Sequence, residues 1–209
     1  MSALAVRSAR ITRDRGRSAP EWDITLLEQA NATADVRPRR LEHPGAGSDH
    51  PPGLPPYAVT VFVGDEGPDD GSGNGRDGAP GVAGERHDGC FTTVSCLGDR
   101  RVRVRSCSAP PALLVGRAGA ELVPSTPCSV GGAVVDDEHR LLVLSAAAYE
   151  TLPRALVILL REFPSRFLRT DPVTLLETLF ADIPVGSAAL ISPVATITPA
   201  DRRNPKESR

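Results

Sequence analysis

Cys90-Phe-Thr-Thr-Val-Ser-Cys96, Leu97-Gly-Asp-Arg100 and Arg101-Val-Arg-Val-Arg-Ser-Cys107 run on from one another, and their reading decides the fold class. Both outer runs are strand-like in composition, and Gly98-Asp99 between them predicts a β-hairpin. In the second run Val102 and Val104 face one way and Arg101, Arg103 and Arg105 the other, because successive side chains on a strand point to opposite faces.

Strand patterns extend in both directions. Upstream, Tyr57-Ala-Val-Thr-Val-Phe-Val63 is a β-branched and aromatic run that stops at Gly64 and reads as a buried strand. Downstream, Pro110-Pro111 breaks the chain. Ala112-Leu-Leu-Val115 and Glu121-Leu-Val123 are then two short strands around the turn Arg117-Ala-Gly119, and Arg140-Leu-Leu-Val-Leu144 is another buried strand. The period then changes. Leu152, Leu156, Leu159, Leu160 and Phe163 form one helical stripe ending before Pro164; Pro172, Leu175, Leu176, Leu179 and Phe180 form a second. Asp171 is its N-cap, with Pro172 at the first helical position. Ser187-Ala-Ala-Leu-Ile-Ser-Pro-Val194 returns as a last strand. This order predicts an α+β fold, a mainly antiparallel sheet or sandwich with helices packed on it.

The predicted domain spans residues 57–197. Residues 1–56 are rich in Pro and Gly and read as largely irregular, apart from a short helix over residues 18–30, with Ser18 as cap and Pro20 in the first turn. A strand from Trp22 to Leu27, with Trp22, Ile24 and Leu26 on one face, is the alternative there. Residues 64–89 carry too many glycines to offset the entropy of ordering and read as a flexible loop, and residues 198–209 as a disordered tail.

Composition narrows the function. With 24 Lys+Arg against 26 Asp+Glu, the net charge of −2 provides no long-range attraction to nucleic acid or anionic lipid, so neither is an expected partner. The clean apolar run at residues 155–160 is far short of the ~18 residues of a membrane helix, and the first residues lack the apolar core of a secretory signal. Cys90, Cys96, Cys107 and Cys128 form no C-x-x-C pair and are expected as buried thiols in a reducing cytoplasm. Only Lys206 among the basic residues is lysine, the usage of a GC-rich, actinobacterial kind of genome. His43, His50, His87 and His139 have no ligand-like spacing.

The order of elements resembles the C-terminal half of the bacterial SpoIIE/RsbU-type metal-dependent serine/threonine phosphatases. Ser106-Cys-Ser-Ala-Pro-Pro-Ala-Leu-Leu114 stands where that family has an Ala-Gly-His-Pro-Pro-Pro-Leu-Leu type of corner. Glu121-Leu-Val-Pro124 and Gly131-Gly132 stand at its short strands and turn. Arg140-Leu-Leu-Val-Leu-Ser-Ala-Ala-Ala-Tyr149 stands at its Leu-Leu-Leu-Tyr-Thr-Asp-Gly-Leu strand-to-helix junction. The resemblance covers residues 90–195 and implies a phosphatase-like sandwich flanked by helices.

The family holds two divalent cations, Mg or Mn, on a set of aspartates, because hard cations take oxygen ligands and a metal-bound water attacks the phosphoserine. Here Ser145-Ala146-Ala147 replaces the Thr-Asp-Gly, and a methyl cannot ligate. Asp182-Ile-Pro-Val-Gly-Ser187 keeps one carboxylate where the family ends with paired acidic residues. Gly64-Asp65-Glu-Gly67, after the strand of residues 57–63, matches the start of the family's Gly-Asp-Val-x-Gly-His-Gly. Gly47-Ser-Asp49 echoes its Gly-Gly-Asp. Asp65, Asp49 and Asp182 are therefore the candidate metal ligands, and Arg101, Arg103 and Arg105 the candidate partner surface. The resulting expectation is a degenerate phosphatase-like module that needs no cofactor and binds another signalling protein. Its rivals are an active Mg/Mn phosphatase and an unrelated α+β interaction domain.

Overall fold

The computed structural model describes residues 5–11, 22–29, 32–40, 57–65, 90–97, 100–126, 128–152 and 154–194. Expectations on the 64–89 loop beyond residue 65, on Asp49, on the Gly98-Asp99 turn and on the C-terminal tail lie outside them. The strands are β1 (Ala5–Ile11), β2 (Trp22–Gln29), β3 (Thr33–Arg40), β4 (Tyr57–Gly64), β5 (Phe91–Cys96), β6 (Arg101–Cys107), β7 (Ala112–Gly116), β8 (Gly119–Val123), β9 (Val130–Val134), β10 (Arg140–Leu144) and β11 (Gly186–Pro193). The helices are α1 (Ala146–Thr151), α2 (Arg154–Glu162), α3 (Pro164–Arg169) and α4 (Pro172–Phe180). The fold is α+β, with every described strand pair antiparallel.

Two sheets pack face to face. Sheet A has the order β1-β2-β11-β10-β7-β8 and sheet B the order β3-β4-β5-β6-β9. Between them lies a core built from alternate residues of both, including Ile24, Val61, Val63, Val94, Val104, Leu141, Val143 and Ile191. The other face of sheet A carries a second core, where Leu27, Leu142, Leu144 and Leu190 meet Leu156, Phe167, Leu176 and Phe180 of the helices. Sheet A is thus covered on both faces, and its central strands are near-continuous apolar runs. In β6, by contrast, Val102 and Val104 are buried and Arg101, Arg103 and Arg105 exposed, as the alternation requires.

The expectation of a helix over residues 18–30 and of a largely irregular residue range 1–56 is corrected. β2 is a central strand between β1 and β11, with Trp22, Ile24 and Leu26 in the inter-sheet core and Leu27 in the helical one. A strand buried on both faces loses its period of two, so its apolar residues mimic helical spacing. Arg37-Pro-Arg-Arg40 falls in β3, an edge strand, where a proline interrupts no ladder on its outer side. Gly131-Gly132 is a strand rather than a turn: it lies in β9, and a Cβ on Gly131 would stand 2.9 Å from Pro124 Cα. The stripe from Leu152 to Phe163 is not one helix: Leu152 is the C-cap of α1, Leu156, Leu159 and Leu160 lie in α2, and Phe163, the N-cap of α3, is exposed. Of the cysteines only Cys96 is buried; Cys90 and Cys128 are exposed and Cys107 is half-buried, so the expectation of four buried thiols fails at strand ends.

Candidate functional site

The candidate site lies at one end of the sandwich, where β4 ends, β10 passes into α1 and β11 begins. Ser145 closes β10 and is fully buried. Its Oγ accepts from the Ala148 amide at 3.3 Å, the N-cap bond of α1, and from the Ser187 amide at 3.1 Å. The Ser145 amide donates to Ser187 O at 2.9 Å, so the two serines close one end of the β10–β11 pair. Ser187 reaches the other sheet: its Oγ lies 3.0 Å from Thr33 O and 2.9 Å from Gly64 O, and shares its proton between these carbonyls. This polar staple holds sheet A to sheet B where apolar packing gives out. Gly186, at φ +146°, allows the close approach, since a Cβ there would stand 2.7 Å from Ala148 Cβ.

Gly64 sets the next residue. Asp65 is half-buried, and the Ala147 amide donates to its carboxylate, 3.2 Å from Oδ1 and 3.3 Å from Oδ2. The carboxylate therefore sits at the N-terminal turn of α1, where a negative charge is favourable against the exposed N–H groups. Asp65 thus meets the start of α1, where Ala146 stands at the aspartate and Ala147 at the glycine of the Thr-Asp-Gly pattern, although 82 positions separate Asp65 from Ala147.

Asp182 is exposed in the turn after α4, four residues before β11. Asp49 lies outside the described residues. Arg101, Arg103 and Arg105 form an exposed row on the outer face of sheet B, opposite Val134, Gly132 and Val130 of β9. His139 pairs with Asp136, Nδ1 to Oδ1 at 2.6 Å, and this contact is the main cause that holds the Asp136 carboxyl below its ordinary range. Sequence reasoning missed Ser145 and Ser187; the signal for the first was a serine directly before Ala-Ala-Ala-Tyr, an N-cap pattern.

The described residues at this end of the sandwich do not by themselves make a site for a pair of divalent cations. Asp65 contributes one carboxylate, already bonded to a backbone amide, and Ala146 and Ala147 contribute methyls. Among the described residues no group of three or more His, Cys, Asp or Glu side chains is placed to hold a metal ion. Among those residues, too, no helix is long and apolar enough to cross a membrane.

No protein-family model matches the sequence, and no curated protein does. Among solved structures the chain is similar to the RsbU and RsbW domains of a Mycobacterium tuberculosis protein, at 10% identity and a TM-score of 0.42. That similarity covers 91% of this chain and 60% of the other, so the chain spans less than two thirds of that structure's length.

Proposed function

We propose that this chain is a phosphatase-like domain of the SpoIIE/RsbU kind that acts as a binding module in bacterial signalling and does not hydrolyse phosphoserine. The observation that carries this reading is the contact between Asp65 and Ala147. Asp65 stands at the aspartate of the family's Gly-Asp and Ala147 next to Ala146, the aspartate position of its Thr-Asp-Gly, and a shared ancestry of the site predicts that these two segments adjoin. The chemistry at the contact supports loss of catalysis. Two doubly charged ions need several carboxylates to replace the water they lose, and here Ala146 offers a methyl at the second aspartate position while Asp65 accepts from a helix N-terminal amide. The exposed Arg101, Arg103 and Arg105 give the domain a cationic surface on a sheet face away from this site, suited to an acidic segment of a protein partner.

Phosphate release from a phosphoserine peptide in millimolar Mn or Mg tests the reading directly. The expected result is turnover at background and a melting temperature that neither ion raises, since a specific ligand must stabilise the state it binds. Metal-dependent turnover that disappears in Asp65→Ala overturns it in favour of an active phosphatase.

A further inference from the structure

The register of β6 against β9 pairs Arg101 with Val134 and continues to Arg105 with Val130. The Ser106 amide carries the ladder one step further by donating to Ser129 O at 3.2 Å. One step further stand Cys107, the last residue of β6, and Cys128, in the turn that precedes β9. The hydrogen bond at the 106/129 pair holds the two backbones at ladder distance directly beside the two cysteines. A disulfide spans Cα atoms roughly 4.4–6.8 Å apart, which includes the separation of neighbouring strands. Period-two alternation puts Cys107 on the outer face of sheet B, in line with Arg105, and Cys128 in its turn is exposed.

A second contact places the Cys128 sulfur itself. Cys128 adopts φ +53°, an unusual conformation for a residue with a Cβ, and its Sγ accepts from the Ser108 amide at 3.4 Å. Ser108 is covalently the next residue after Cys107, so this sulfur stands beside the Cys107 main chain. Neither thiol is sealed off, since Cys128 is exposed and Cys107 half-buried. The remaining cysteines are less suited. Cys96 is buried, and that burial pushes its thiol up to about 12. Cys90 is exposed but precedes Phe91, the partner of Cys107 across β5 and β6, and so points to the opposite side of the sheet.

We propose that Cys107 and Cys128 form a reversible cross-strand disulfide that ties β6 to the edge strand β9. The bond falls where the chain, having left β8 of sheet A, enters β9 of sheet B, so it locks the crossing between the two sheets' edges. The oxidant is a small disulfide such as oxidised glutathione. One cysteine thiolate attacks it, forming a mixed disulfide and expelling one glutathione thiolate. The second cysteine thiolate then attacks the protein sulfur of that mixed disulfide, forming the Cys107–Cys128 bond and expelling the other. The two cysteines lose two protons and two electrons, and one glutathione disulfide becomes two glutathione thiols.

The test equilibrates the full chain in glutathione buffers from fully reduced to fully oxidised, alkylates the remaining thiols and maps tryptic peptides by mass spectrometry. Trypsin places Cys107 in residues 106–117, Cys128 in residues 118–140, and both Cys90 and Cys96 in residues 87–100. The expected product of oxidation is a linked 106–117/118–140 pair that excess dithiothreitol separates. In Cys128→Ser the linked pair is replaced by Cys107 carrying one glutathione, and in Cys90→Ser it persists. Linkage of the 87–100 peptide to either of the others, or Cys107 and Cys128 remaining alkylatable or separately glutathionylated across the series in the unmodified chain, overturns the proposal.

Discussion

Removing the Ser145 hydroxyl tests the physical account of the sandwich end. In Ser145→Ala two backbone amides lose their acceptor at once, those of Ala148 and Ser187. The first is a helix cap, worth about 1 kcal/mol. The second lies at a fully buried residue, where an unsatisfied amide costs roughly 1–3 kcal/mol because no water replaces the oxygen. The expected loss is therefore about 2–4 kcal/mol. Asp65→Ala removes the acceptor of the Ala147 amide, but Asp65 is half-buried and water takes up part of the deficit, which leaves about 0.5–1 kcal/mol. Both acceptors serve one helical turn. Once Ser145→Ala frays the start of α1, the Asp65 bond has less to hold, so the double variant should lose at least about 0.5 kcal/mol less than the sum. Urea unfolding of the four proteins, with slopes compared to check that the unfolded state is unchanged, measures each quantity. A Ser145→Ala cost below about 0.5 kcal/mol, or strict additivity, would refute the claim that the two residues hold one buried junction.

The inter-layer core provides a contrast on neighbouring sheets. Leu142 is fully buried between sheet A and the helices, so Leu142→Ala should cost roughly 2–5 kcal/mol, whereas Arg103→Ala on the exposed face of β6 should stay within about 0.5 kcal/mol; equal losses in thermal or urea unfolding contradict the assigned faces. Asp171 caps α4 by accepting from the Thr174 amide at 3.0 Å, the largest of the causes that hold its carboxyl below the ordinary 3.8. A carboxyl depressed in the folded state stabilises it above the unfolded pKa and ceases to do so as pH falls through the folded one. The stability gap between the unmodified chain and Asp171→Asn should accordingly narrow as pH is lowered from neutrality through 3.8 and below, and a gap that widens on acidification contradicts the cap.

Much of the fold was legible locally. The β5–β6 hairpin, β4, β10, the Asp171-capped α4 and the returning β11 each carry a signal within their own residues: alternation, a β-branched run, a cap or a breaker. Such signals survive because β6 keeps a periodic apolar face, α4 has a capped terminus, and β4, β10 and β11 are apolar runs too short for a buried helix. Candidate-site residues were legible only as matches to short motifs. Asp65 was visible as a Gly-Asp after a strand, while its partner, the Ala147 amide, has no side-chain signature.

Tertiary structure decided the rest. Whether residues 22–29 form a helix or a strand depended on burial by β1 and β11 on either side and by a core on each face, which no local period encodes. β9 is a strand because β6 offers it a ladder and Pro124 needs the space beside Gly131, although Val-Gly-Gly-Ala-Val has weak strand propensity of its own. The junction of Thr33, Gly64, Ser145 and Ser187 gathers residues from four distant parts of the chain, and the Cys128 sulfur reaches the Ser108 amide beside Cys107 through the pairing of β6 with β9. Local chemistry determines which conformations a segment can take at low cost. Which one it takes, and which groups then meet, is determined by the partners that burial and hydrogen bonding bring from elsewhere in the sequence.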